Sequence, residues 1–296
     1  MHVCLPEKET RMDIEAAELT FGVEIETTVP AALVAAGELR IGPYHRGTQV
    51  PYLPRGWKAE CDGSIRAEPD RFACEIVSPI LRGQDGLAQI AEVLRILEAK
   101  GHKVNPSCGV HVHVGWTSDY SSEALARLVS IVAYAEKGLY AITGTKARER
   151  CRYCGGVRKY GNHKDAKTSL DRNRYHALNL TNLAWGRLKT VEFRVFSGSL
   201  NPVKVVGWIQ VCLGLVQRAI TAKRSPTWSP KPLTGGWKKA GEGASEAERL
   251  MGYLAWGEAY ARIHQGRQFG WLSNLIPQET VKAEFRRLAA KYDAQA

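Results

Sequence analysis

Four short segments alternate apolar residues with glutamate, histidine or arginine, and this alternation restricts the chain more than any other feature. In Phe21-Gly22-Val23-Glu24-Ile25-Glu26 it leaves Phe21, Val23 and Ile25 for a core and sets Glu24 and Glu26 together on the opposite face, because successive strand residues point to opposite sides. Val110-His111-Val112-His113-Val114 repeats the arrangement with two imidazoles, and Val191-Glu192-Phe193-Arg194-Val195 with an acid and a guanidinium. A weaker fourth case, Ala73-Cys74-Glu75-Ile76-Val77, adds Glu75. Surface strands usually show Lys, Thr and Ser to water, so Glu, His and Arg on these faces point to one antiparallel sheet whose charged side lines a metal and nucleotide pocket.

The segments between the strands read mainly as helices and loops. A helix is expected over about 85–100, with Leu87, Ile90, Leu94 and Leu97 in its stripe, Asp85 as N-cap and Gly101 as stop. A second runs from Ser121 or Ser122 to about 142, presenting Leu125, Leu128, Val129 and Val132. His176–Leu180 reads as a strand, and Asn201-Pro202 opens a long helix to about Lys223 that buries Trp208, Ile209, Cys212, Leu213, Val216 and Ile220. Residues 225–245 form a Pro/Gly-rich loop, and helices over about 246–264 and 277–292 end the chain. Strands and helices without regular β-α-β alternation indicate an α+β fold. The length permits one large domain or two modest ones, and one domain over all 296 residues with its core at about 20–223 is expected.

A net charge of +11 favours polyanionic partners. Much of it falls in 146–174, where Arg148, Arg150, Arg152, Arg158, Lys159, Lys164, Lys167, Arg172 and Arg174 are interleaved with Gly and Tyr. That composition suggests a mobile basic loop, either simply solvated or holding a polyanionic acceptor. Seven cysteines, an odd number, fit reduced thiols. Cys61, Cys74, Cys108 and Cys212 are expected in the core; Cys151 and Cys154, with His163 nearby, could begin a zinc site but lack a second close ligand pair. The N-terminal stretch has no apolar signal-peptide region, and no apolar run reaches the roughly 20 residues of a bilayer span. The expected location is the cytoplasm, with no membrane partner.

Hard divalent cations take oxygen ligands, with carboxylates, waters and substrate phosphates around them. Glu24, Glu26, Glu75 and Glu192 could supply two such ions, His111 adding a nitrogen, while Arg194 presents a planar fork of donors suited to phosphate or carboxylate. Carboxylates with arginine are the equipment of phosphoryl transfer. Singly, Glu-x-Glu is more often an exposed face, His-x-His is either a zinc pair or two solvated histidines, and Glu-x-Arg is most often a cross-strand ion pair. Their joint appearance on strands expected to be neighbours indicates a site.

Gly22-Val23-Glu24-Ile25-Glu26, Asp62-Gly63-Ser64, Glu75-Ile76-Val77-Ser78-Pro79, the stretch Asn105-Pro106-Ser107-Cys108-Gly109-Val110-His111-Val112-His113, Asn179-Leu180 and Val191 to Asn201 resemble, in this order, the amidoligase family of carboxylate–amine ligases. That family is related to glutamine synthetase and glutamate–cysteine ligase. The resemblance implies a glutamine-synthetase-like catalytic domain, a curved antiparallel sheet with flanking helices, and amide or isopeptide bond formation driven by ATP and Mg2+, or Mn2+, through an acyl phosphate. By the same resemblance, Glu24, His111 and Glu192 would hold the metal at the nucleotide phosphates, and Glu26 and Glu75 the metal nearer the acceptor carboxylate. His113, Asn105, Arg174 and Asn179 would lie by the nucleotide or substrate, Arg194 would stabilise the transferring phosphoryl group, and Asp62 would fill a missing acid position or accept the amine's proton. The partners implied are ATP, a carboxylate and an amine, the latter a small molecule, peptide or protein side chain.

Two other readings use the same residues. A zinc hydrolase would bind metal through His111 and His113 and work without ATP. A basic nucleic-acid-binding module would bind in a salt-sensitive way and survive loss of Glu24 or Glu192.

Overall fold

The computed structural model describes residues 19–118, 120–186, 189–222, 250 and 278–295. Its strands are β1 (Thr20–Pro30), β2 (Thr48–Gln49), β3 (Lys58–Glu60), β4 (Arg71–Val77), β5 (Leu81–Arg82), β6 (Gly109–Gly115), β7 (Leu178–Asn179) and β8 (Thr190–Ser197). They form an eight-stranded open sheet in the order β2-β3-β4-β1-β6-β8-β7, with β5 also paired to β1, and every ladder is antiparallel. The expected α+β class is observed. All three fully expected charged strands are present, and His176–Leu180 contributes only the two residues of β7.

The period-2 pattern decides which face is buried. Phe21, Val23 and Ile25 of β1, Val110, Val112 and Val114 of β6, and Val191, Phe193 and Val195 of β8 are almost wholly buried. Helices cover that side: α2 (Gly83–Ala99) and α3 (Ser122–Ala141) pack on α6 (Pro202–Thr221), and α7 (Gln278–Asp293) packs on α3 and α6. Short helices α1 (Ala31–Ala35), α4 (His163–Leu170) and α5 (Thr181–Ala184) lie in the connections. The Ser121 hydroxyl accepts from the Ala124 amide at 3.2 Å and the Asn201 side chain from Lys204 at 3.2 Å, so both expected caps form. Trp208 stacks on Phe196 at 5.0 Å and donates to the Ile142 carbonyl, tying α6 to the sheet.

Four expectations change. Asp85 does not cap α2: β5 runs directly into the helix through Gly83, whose φ of +57° glycine alone adopts freely, and Asp85 sits in the first turn as a charge at the helix's positive end. Cys61 is exposed rather than buried, since it lies past the end of β3 between two acids drawn to the charged face. The basic segment 146–174 is packed, not loose. Glu136, buried on α3, accepts the Val157 and Arg158 amides at 2.5 and 3.0 Å, Tyr140 donates to the Cys154 carbonyl, and Cys154, Val157, Ala166 and Leu170 are fully buried. Finally, α6 is long and apolar enough to cross a membrane, though 61% of its most apolar window is buried inside the protein. The 225–245 loop, the 246–264 helix apart from Leu250, and Trp228, Trp237, Trp256 and Trp271 lie outside the described residues.

One buried polar chain titrates. Thr27 donates to the Cys74 carbonyl at 3.0 Å, so its oxygen accepts from Nδ1–H of His102 at 3.0 Å, leaving Nε2 to accept from Tyr52 at 2.9 Å. Every proton has a partner when His102 is neutral; burial, then Arg71, pushes its pKa down to about 4 from 6.5. Between those values the unfolded chain binds a proton there that the folded chain does not. Stability therefore falls as pH drops through this window, by about 3 kcal/mol from this group. Urea unfolding at pH 4 to 7 should show the slope in wild type and a flatter one in His102→Gln.

Candidate active site on the charged face of the sheet

Strand register assembles the site. Glu24 lies opposite His111, His113 opposite Glu192, and Glu192 opposite Asn179. One rung further along, Glu26 lies opposite Glu75, and Glu75 opposite Glu60. Directly opposed residues of an antiparallel pair share a face, so three charged rungs lie side by side: His113 with Glu192, Glu24 with His111, and Glu26 with Glu75 and Glu60. A bulge sits where Val110 faces Phe196 but Val112 faces Phe193, which leaves Arg194 and Val195 spanning His111 alone. Such bulges re-aim side chains next to sites.

The contacts are close. His111 places Nδ1 3.0 Å from Glu24 Oε2 and 3.7 Å from Glu192 Oε1, and Nε2 3.5 Å from Glu26 Oε1. His113 Nε2 is 3.1 Å from Glu24 Oε1, and Arg194 Nη1 pairs with Glu192 Oε1. Asn179 donates to the other Glu192 oxygen at 2.5 Å, and the Gly109 amide donates to Glu26 Oε2 at 2.6 Å. Burial opposes the charged form of Glu24, yet His113 and His111 outweigh it and hold the carboxyl well below the usual range. For Glu192 burial is likewise overcome, by His113 and Arg194. Burial alone would make His113 neutral, but Glu24 and Glu192 push it up to about 9. Glu75 goes the other way: burial, then Glu24, Glu26, Asp62 and Glu60, push it up to about 10.

Candidate ligand atoms fall within 4.8 Å of one another in three groups: Glu24, His113 and Glu192; Glu24, Glu75 and His111; and Glu26, Asp62 and Glu75. The donors are mostly carboxylate oxygens, the chemistry of Mg2+ or Mn2+ rather than of a soft cation. The mutual repulsion recorded at Glu75 is what a divalent cation would relieve, so the residues fit such ions. His113 stands with Glu24 and Glu192, and His111 with Glu24 and Glu75; His111 Nδ1 also lies 3.7 Å from Glu192, so both imidazoles border the Glu24–Glu192 pair. Asp62 reaches the Glu26 and Glu75 carboxylates from the β3–β4 turn, where its Oδ1 also accepts the Ser64 amide at 2.6 Å.

The remaining candidates sit around this floor. Asn105 locks the loop entering β6, donating to the Arg66 carbonyl at 2.7 Å and accepting from the Ser107 amide and hydroxyl. Arg174 donates to the Tyr44 hydroxyl at 2.7 Å. Burial raises that phenol's pKa, Arg174 opposes the rise, and Glu24 and Glu75 add to it. Arg174 also lies over the Tyr175 ring, Tyr175 packs edge-on against Tyr153, and Arg152 covers Tyr153, forming a basic aromatic rim. Among the described residues no third ligand gathers at Cys151 and Cys154.

Three residues escaped the sequence reading. Glu60 continues the acidic row, and the Glu60-x-Asp62 spacing beside Trp57 and Ala59 is the signal that could have found it. Tyr44 and Arg148 carry no such periodic signal; both reach the site from loops.

Fold and site together define an α+β protein with a carboxylate- and imidazole-lined candidate cation site beside an arginine. The chain belongs to the family described as "Putative amidoligase enzyme", whose model matches residues 17–172. No curated protein sequence matches it. Among solved structures it is similar to a bifunctional glutathione synthetase from Pasteurella multocida, at 13% identity and TM-score 0.40, over 98% of this chain and 48% of that one. The chain thus spans about half the length of that relative. It is also similar to a protein described as a novel glutamine synthase homolog, at 15% identity and TM-score 0.44, over 97% and 71%. A structure of GmaS without ligand aligns at 13% identity and TM-score 0.42, over 97% and 72%.

Proposed function

We propose that the chain, as one catalytic domain, is an ATP- and Mg2+-dependent carboxylate–amine ligase, with Mn2+ able to substitute, that works through an acyl phosphate. The observation that carries this reading is the chain of three donor groups linked by Glu24 and Glu75, with Arg194 paired to Glu192 at one end. In this reading Glu24, His111 and Glu192 hold a cation at the nucleotide phosphates with His113 beside them, and Glu26 and Glu75 hold one beside the carboxylate substrate. The cations, when bound, supply charge neutralisation at the phosphate oxygens. Arg194 supplies a fixed cation for the transferring phosphoryl group. A substrate carboxylate oxygen attacks the terminal phosphorus, the bond to ADP breaks, and the amine then displaces phosphate from the acyl carbon. Asp62 is assigned the proton that the incoming ammonium must lose. Asn179 acts through Glu192 and Asn105 through its loop, so both are positioning residues. Arg174 is the rim cation set to meet a nucleotide phosphate or a polyanionic acceptor.

The test is ADP release from MgATP across paired panels of carboxylates and amines. Release that requires a carboxylate, an amine and magnesium supports the ligase. Hydrolysis without ATP by a tightly zinc-loaded protein contradicts it.

A further inference from the structure

Arg148 belongs to the basic segment but not to its surface: it is only 6% exposed. The bulge sets Arg194 and Val195 against His111, and Arg148 Nη2 donates to the Arg194 carbonyl at 2.5 Å. This contact fixes the guanidinium and uses one of its five N–H groups. Nε is buried with no partner, and among the described residues no carboxylate lies within 4.0 Å of the guanidinium. A buried guanidinium with open donors and no counter-charge is costly unless an anion comes to it.

Its surroundings say where that anion would lie. A Cβ built on Gly109 would sit 3.2 Å from both Arg148 terminal nitrogens and 3.3 Å from His111 Nε2. The guanidinium and the imidazole thus converge on the space above Gly109, whose amide holds Glu26. Arg194 pairs with Glu192, so two guanidinium groups border the donor groups, one on Glu192 and one above Gly109. A guanidinium beside a cation-binding carboxylate row repels the cation unless an oxyanion lies between them. A transferring phosphoryl group has three equatorial oxygens and can meet two cations and an arginine at once, whereas a carboxylate has two oxygens.

We propose that Arg148 is a second phosphoryl-binding arginine, acting from above Gly109 together with Arg194. The inference rests on the ligase reading above. It also gives Gly109 a role, because a side chain there would crowd the Arg148 and His111 head groups, which lie 3.2 and 3.3 Å from its Cβ position.

The test is calorimetry on the full chain with MgADP alone and with MgADP plus aluminium fluoride, which mimics the phosphoryl group in transfer. Wild type should bind the fluoride complex at least about tenfold more tightly than MgADP. Arg148→Gln should keep MgADP affinity within about twofold but lose about 10- to 100-fold of affinity for the fluoride complex, the size of a charge-assisted hydrogen bond. Arg148→Lys, which keeps the charge and a donor for the Arg194 carbonyl, should recover part of the loss, and Gly109→Ala should reproduce it. Thermal melting of each variant identifies any that fail to fold. Equal fluoride-complex affinity in wild type and a folded Arg148→Gln overturns the role of Arg148 while leaving the ligase reading intact; absence of MgADP binding to wild type overturns both.

Discussion

Glu24→Gln is expected to abolish magnesium-dependent nucleotide binding and to lower ligase turnover by at least about 100-fold. Glu24 belongs to two of the three donor groups, and its two oxygens face different imidazoles, His111 at 3.0 Å and His113 at 3.1 Å. Glutamine keeps the size of the side chain but removes the charge that a hard cation requires, and one half of the amide is a donor that repels it. The loss spreads: Glu24 is the first charge that keeps His113 protonated. Loss of an indirect, orienting partner of a metal ligand already costs 10- to 100-fold, so loss of a ligand shared by two groups sets the lower bound. Calorimetric titration with an ATP analogue, with and without magnesium, reads the effect directly.

Arg194→Lys is expected to lower turnover by about 10³-fold while changing MgADP affinity less than threefold. A cation supplied to a phosphoryl group in transfer contributes 10³ to 10⁵ in rate, and lysine offers a point charge where arginine offers a planar fork. Burial works against the Arg194 charge, while Glu192, Glu24 and Glu26 sustain it. Its Nε is buried without a partner, so a donor stands open for a reactant. Stopped-flow ADP release against equilibrium MgADP binding separates the two quantities. Equal losses in both would assign Arg194 to ground-state nucleotide binding instead.

The sheet was legible because its signal is local. A strand with one buried face must alternate, so Val23 and Ile25 identify the face on which Glu24 and Glu26 stand, and the same holds for His111, His113, Glu192 and Arg194. Which strands are neighbours was inferred from the chemistry, and the observed register brings those residues onto one face. What escaped depends on contacts between distant segments. The bulge that sets Arg194 and Val195 against His111 has no residue signature. Composition made 146–174 look like a mobile loop, yet one acid on α3, Glu136, pins two of its amides. That packing carries Arg148 to the charged face beside Gly109. The assignment of His111 and His113 to separate donor groups depends on side-chain geometry that strand periodicity does not contain.

The most direct test of the ligase account is calorimetry with a non-hydrolysable ATP analogue, with and without magnesium, on wild type, Glu24→Gln and Glu192→Gln. The account predicts magnesium-dependent binding by wild type that both substitutions abolish in folded protein. No binding by folded wild type, or binding that survives both substitutions, would contradict it.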